Sequence, residues 1–158
     1  MIAVRDATEA DVAFIAAAQA APHARGFVLA ATESEVRAAL DRTDRMTFVI
    51  VEDGEPAGMM LLGRYAEAPW LIDLRRFVVT RPGRGIGTAA LRWAIARCFD
   101  EYGAHRITLD VVESNERARR LYERCGFVHE GTYRDAYRDP DGAYANLRIY
   151  GLLATDPR

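Results

Sequence analysis

Residues 77–88 read FVVTRPGRGIGT, an apolar run that passes through a glycine-rich turn into a long amphipathic segment. Both flanks support a strand–loop–helix reading. Residues 71–79 form a mostly apolar strand candidate, and Leu91, Ala94, Ile95, Cys98, Phe99 and Tyr102 then recur at helical intervals up to a stop at Gly103. Gly83, Gly85 and Gly87 let backbone N–H groups turn toward an anion without Cβ interference, and the following helix adds the positive end of its dipole. Together with Arg81, Arg84, Ile86 and Thr88, the loop reads as a phosphate cradle.

Working outward, Ile107, Leu109 and Val111 alternate with Thr108 and Asp110 as in a strand. Ser114 or Asn115 then caps a helix whose apolar stripe is Ala118, Leu121, Tyr122 and Cys125, with Gly126 in the stop position. Residues 127–137 and 144–153 are strand candidates joined by Asp139-Pro140-Asp141-Gly142. Toward the N-terminus, residues 2–6 form a short strand and Thr8 caps a helix containing Val12, Ile15 and Ala16. Thr32 and Glu35 have capping-box spacing ahead of Val36, Ala39 and Leu40, and the runs 46–51 and 57–62 make a hairpin across Glu-Asp-Gly-Glu-Pro.

A chain of 158 residues is expected to form one domain with a sizeable core. With half its residues hydrophobic and 28% charged, the composition fits a globular protein and neither a disordered tail nor a membrane span. The net charge of −2 argues against a nucleic-acid partner, whereas a small phosphorylated ligand needs only a local cluster such as Arg81 and Arg84. The first residues carry early charges and no long apolar core, so neither a signal peptide nor a membrane anchor is expected and the location is taken as cytoplasmic. Cys98 and Cys125 lack paired spacing and His23, His105 and His129 are scattered, which predicts core thiols and no metal.

Two nucleotide readings compete at the glycine loop. Gly85-x-Gly87-x-x-Ala90 meets a dinucleotide fingerprint with alanine in third place, and Asp110 lies downstream where a ribose-binding acid would be sought. Against an oxidoreductase, Asp110 falls inside its strand and the motif begins after half the chain has passed. An ATP loop would need lysine before the hydroxyl at Thr88, and Gly87 stands there.

Residues 115–127 read NERARRLYERCGF and meet the pattern N-x-x-A-x-x-L-Y-E-x-x-G-F throughout. With residues 78–87 they resemble the acetyl-coenzyme-A-binding segments of the GNAT N-acetyltransferase superfamily. Glu130, Gly131 and Arg134, with the tyrosine-rich final strand, resemble the branch containing ribosomal-protein and polyamine acetyltransferases. The resemblance spans about residues 46–153. It implies an α/β (α+β) fold: a mixed sheet of six to seven strands flanked by about four helices. It also implies acetyl-CoA as co-substrate, a small-molecule or peptide amine as acceptor, and room for a homodimer. One departure stands in the loop: the family carries Gln or Arg where this chain has Pro82, which removes an N–H and a polar side chain.

The resemblance also distributes roles. Pantetheine would run beside the strand at Phe77, Val78 and Val79 and take backbone hydrogen bonds there, helped by a splay from the strand at 106–112. An N–H on the same strand would face the developing oxyanion. Arg81, Gly83, Arg84, Gly85, Ile86, Gly87 and Thr88 would hold the pyrophosphate, with Asn115 and Arg119 contributing from the second helix. Tyr122 would protonate the leaving thiolate, although it also completes an apolar stripe. Asp73 is the candidate base, since Asp is unfavourable inside a strand, although pairing with Arg75 or Arg76 would equally account for it. A silent acyl-CoA sensor could dispense with Asp73 and Tyr122. For the acceptor, Glu33, Glu35, Asp139 and Asp141 could attract a cation and Tyr65, Trp70, Tyr133, Tyr137 and Tyr144 could wall it, or all could be ordinary surface.

Overall fold

A computed structural model describes residues 1–158. Its strands are β1 (Ile2–Asp6), β2 (Arg45–Glu52), β3 (Glu55–Tyr65), β4 (Ala68–Val79), β5 (Arg106–Val112), β6 (Val128–Arg138) and β7 (Tyr144–Leu153). Its helices are α1 (Val12–Gln19), α2 (Glu33–Leu40), α3 (Ile86–Ala96) and α4 (Glu116–Arg124), with a 3₁₀ turn at Glu9–Asp11 and a π turn at Arg97–Glu101. The expected mixed sheet of six to seven strands and four helices is therefore present, with seven strands.

The sheet runs β1-β2-β3-β4-β5-β7-β6, and every neighbouring pair is antiparallel except β4 and β5. A doubly wound parallel dinucleotide sheet is not formed. The β4–α3–β5 crossover is the one place where the chain makes a parallel connection, and the glycine loop lies inside it.

Helices cover both faces. Phe48, Ile50, Met60, Leu62, Ile72, Leu74, Ile107 and Leu109 pack under α3 and α4, while Val49, Met59, Leu61 and Val78 pack against α1 and α2. The first cluster holds 23 buried residues and the second 9. At about 2 kcal/mol per buried aliphatic side chain, the α3/α4 face supplies most of the hydrophobic stabilisation. Cys98 and Cys125 are buried free thiols, and burial pushes the Cys98 thiol up to about 12.

Local signals place the helices. Thr32 accepts from the Glu35 amide at 3.2 Å and Glu35 returns a bond to the Thr32 amide, a capping box that starts α2. Asn115 accepts from the Ala118 amide at 3.3 Å at the start of α4. The helix anticipated after Thr8 begins as the 3₁₀ turn, with the Asp11 carboxylate accepting from the Thr8 amide.

β4 and β5 pair through only Leu71–Arg106, Ile72–Ile107 and Asp73–Thr108. Immediately beyond, β4 bulges against β3, with Leu62 facing Leu74 and Leu61 facing Arg76, so that Arg75 is the extra residue. From there to Val79 the β5-facing edge of β4 has no strand partner.

Asp11 provides a test of the packing between β1 and α1. It is 6% exposed, accepts both guanidinium nitrogens of Arg5 at 2.8 Å, and accepts from the Thr8 amide at 2.8 Å. The Arg5 hydrogen bonds hold its carboxyl down at about 2, so it contributes stability that is complete above the unfolded carboxylate range and is lost as pH falls from about 4 toward 2. Discounted for the half-open Arg5, Asp11→Ala should cost about 1–2 kcal/mol in urea unfolding at pH 7. The gap from the parent protein should narrow below pH 4.

Candidate active site

The parting of β4 and β5 opens a groove of about 670 Å³ whose walls come from the end of β4, the glycine loop, the start of α3 and one face of α4. It brings together Phe77, Val78, Val79, Gly83, Gly85, Ile86, Gly87 and Thr88 from one stretch with Asn115 and Tyr122 from another. Gly85 caps α3 at φ 77°, a left-handed conformation that turns the chain into the helix so that its first amides face the groove. Pro82 lines the same wall.

The register sets which backbone groups of β4 are available. The Thr80 amide donates to the Ala57 carbonyl at 2.9 Å, toward β3, and alternation then points the amides and carbonyls of Val79 and Phe77 toward the groove. The Val79 carbonyl accepts from His23 Nε2 at 2.8 Å. This edge is the kind of surface along which an extended, amide-containing ligand adds as a strand.

The cationic candidates divide. Arg81 and Arg84 turn away and pair with Glu52 at 3.4 and 2.9 Å, tying the back of the glycine loop to the end of β2, where Glu52 is 7% exposed. Arg119 donates to the Glu113 carbonyl at 3.0 Å and does not line the groove. Arg117 and Arg124 line it instead. The sequence pointed to none of Arg117, His23 or Phe27. Arg117 had a usable signal two residues past Asn115, whereas His23 and Phe27 arrive on the α1–α2 connection through tertiary packing alone.

A second cavity of about 440 Å³ opens on the α1/α2 side of the sheet and shares Phe27, Val28, Phe77, Asn115, Ala118 and Tyr122 with the first. Tyr122 thus stands at the junction. Its ring is 7% exposed and lies edge-on to Phe127, with centroids 5.9 Å apart. Burial, and then the charge of Asp110, push its phenol above the ordinary value, so it stays protonated at neutral pH. Asp110 projects from β5 into the second cavity, open to it yet walled by protein. That crowding, reinforced by the neighbouring Asp73, raises its carboxyl.

Asp73 occupies the apex of the split, in the last pair of the β4–β5 ladder opposite Thr108, and lines neither cavity. It accepts from the Tyr65 hydroxyl at 3.2 Å and from Arg75 Nε at 3.4 Å. Burial raises its carboxyl, and Arg75 and Tyr65 oppose the rise. Of the proposed acceptor walls, only Tyr137 reaches the second cavity. Trp70, Tyr133 and Tyr144 are at least half exposed, Asp141 pairs with Arg25, and Glu35 is engaged in its capping box. Apart from Asp110, the charged residues lining the cavity are Arg45, Arg75 and Arg76. No three His, Cys, Asp or Glu side chains converge as a metal-binding group.

Known proteins share this architecture. YdaF of Bacillus subtilis (strain 168), provisionally named a ribosomal N-acetyltransferase, is 30% identical over 105 residues, which span 66% of this chain and 57% of that protein. The ribosomal-protein-S18-alanine N-acetyltransferase of Escherichia coli superposes with a TM-score of 0.81 at 21% identity, covering 97% of this chain and 94% of that one. A spermidine N-acetyltransferase from Vibrio cholerae, solved in complex with CoA and spermine, gives a TM-score of 0.81 at 19% identity, covering 96% and 95%. At such identities the two structures establish the fold alone. The family model for the acetyltransferase (GNAT) family, however, matches residues 13–127, from α1 through the two-sided cleft to the end of the asparagine–tyrosine helix, and this chain belongs to that family.

Proposed function

We propose that this protein is an N-acetyltransferase that holds acetyl-CoA in the groove along β4 and accepts a primary amine, on a small molecule or peptide, through the cavity on the opposite face. GNAT enzymes draw their acyl group from acetyl-CoA and act on amine acceptors. The observation that carries the proposal is the position of Tyr122, a buried, protonated phenol lining both cavities where they meet.

The groove fits such a donor. The amides at the start of α3, with Arg117 and Arg124 nearby, suit a pyrophosphate, and the unpaired edge of β4 suits the amide-containing pantetheine arm. When bound, the donor supplies an activated acyl thioester. The amides of Phe77 and Val79 point toward the groove and would serve the oxygen on which negative charge develops. Tyr122 Oη then gives its proton to the departing sulfur.

The amine must arrive neutral. An alkylammonium group has a pKa near ~10.4, so only roughly 1 in 2,500 is nucleophilic at pH 7 and a base is worth on the order of 10²-fold or more. Asp110 is placed to take that proton, directly or through water, because it lines the acceptor cavity and its carboxyl is raised. Asp73, held by Tyr65 and Arg75, supports that raised affinity from behind. A base at Asp73 itself would require a relay through Asp110 or water.

Titration with acetyl-CoA, followed by thiol release over a panel of amines, tests the proposal; absence of release with every amine would overturn it. Tyr122→Phe should lower turnover by about 10²-fold while the coenzyme dissociation constant stays within about twofold. An unchanged rate would remove the acid role. Asp110→Asn should cost about 10²-fold at pH 7 and regain most of it as pH approaches the amine pKa, because the variant then depends on amine self-ionisation. In the parent enzyme the acid limb of the pH–rate profile should lie above the ordinary carboxylate range. Asp73→Asn should lower turnover by less than about tenfold and shift that limb downward, since Asp110 loses a like-charged neighbour.

A further inference from the structure

The acceptor cavity carries an unusual charge for an enzyme whose substrate bears an amine. Arg45, Arg75 and Arg76 line it. Arg75 and Arg45 have carboxylate partners, Asp73 at 3.4 Å and Asp44 at 3.2 Å. Arg76 has none within ion-pair distance; its one recorded bond is from Nε to the Leu29 carbonyl at 3.2 Å. A guanidinium has five N–H donors, so four of those on Arg76 make no hydrogen bond to the protein.

The backbone has made room for this group. The bulge at Arg75 places Arg75 and Arg76 consecutively at the mouth of the split. Gly63, opposite Arg45 on one side and Asp73 on the other, lets two arginine side chains cross β3; a Cβ there would meet Arg75 Cδ at 3.0 Å and Arg45 Nη1 at 3.4 Å. Burial, and then the neighbouring Arg75, make the Arg76 cation harder to hold, and Glu35 offsets only part of that. A half-buried cation beside two others is stabilised by an anion arriving with the ligand.

Resting on the acetyltransferase proposal above, we infer that the acceptor is an amine bearing a carboxylate, which pairs with the free face of Arg76 beside Arg75 and Arg45 while its amine is presented to Asp110 and Tyr122. The cavity then has a cationic end for the carboxylate and an anionic side chain for the ammonium, which is complementary to an amino acid and not to a polycation. Arg suits this task because its planar fork matches a carboxylate bidentately. Polyamines would bring charge of the wrong sign to Arg76.

The test compares matched acceptors under the thiol-release assay: L-phenylalanine, L-phenylalanine amide, a dipeptide with an N-terminal phenylalanine, and spermidine. Phenylalanine should exceed its amide in kcat/KM by about tenfold or more, chiefly through KM. Calorimetry without coenzyme should show the same order in binding. A dipeptide as good as the free amino acid would place the carboxylate on a peptide. Arg76→Gln should bring the acid-to-amide ratio to within about threefold of one, and Arg76→Glu, which keeps a charge at the site, should turn the preference toward spermidine. Amide or spermidine preferred by the parent enzyme, or a ratio unmoved in both variants, would overturn the inference and leave the acetyltransferase proposal standing. No release with any amine would overturn both.

Discussion

Three residue pairs join β4 to β5, and the site depends on the ladder ending there. A buried strand edge without partners is costly, because each free amide and carbonyl forfeits a hydrogen bond. This fold leaves such an edge on β4 from the bulge at Arg75 to Val79 and opens it to a groove. The gap does more than expose backbone. A closed sheet would separate α4 from the α1–α2 connection, whereas here Tyr122 from one face and Asp110 and Arg76 from the other border a shared space.

The charges around the gap are sorted by what surrounds them. Arg81 and Arg84 pair with Glu52 behind the glycine loop, so the cations that line the groove itself are Arg117 and Arg124. Within the gap, desolvation acts on each group in the direction that favours the neutral form. It keeps the Tyr122 proton on, raises the Asp110 carboxyl, and leaves Arg76 an under-compensated cation. The acid, base and anchor roles proposed for these three side chains all draw on that shift toward the neutral form.

Much of the architecture was legible in the chain because it rests on local rules. Periodicity located the strands and the helices from α2 through α4, the Thr32–Glu35 pair marked its capping box, and the asparagine at 115 caps α4 as its position suggests. The groove was legible for the same reason: the glycine loop and the asparagine–tyrosine helix are each contiguous, and a crossover connection brings them together. Less legible were the roles of charged residues. Arg81, Arg84 and Arg119 read as phosphate ligands, yet their directions are set by Glu52 on β2 and by the carbonyl of Glu113. Asp73 and Asp110 both read as carboxylates inside strands, and only the parallel register, which pairs Asp73 with Thr108, places one at the apex and the other in the cavity.

The sequence by itself determined the order of elements, the glycine turn that opens α3 and the helix that presents Tyr122, since these follow from residue spacing within one segment. Tertiary structure decided where the β4–β5 ladder stops, which arginines line the groove and which pair with Glu52, and how His23 and Phe27 come to line the groove. The physical reason is the range of the forces. Helical and strand periodicity acts over a few residues, whereas an ion pair, a desolvated carboxylate or a broken ladder depends on segments that meet only after the chain has folded.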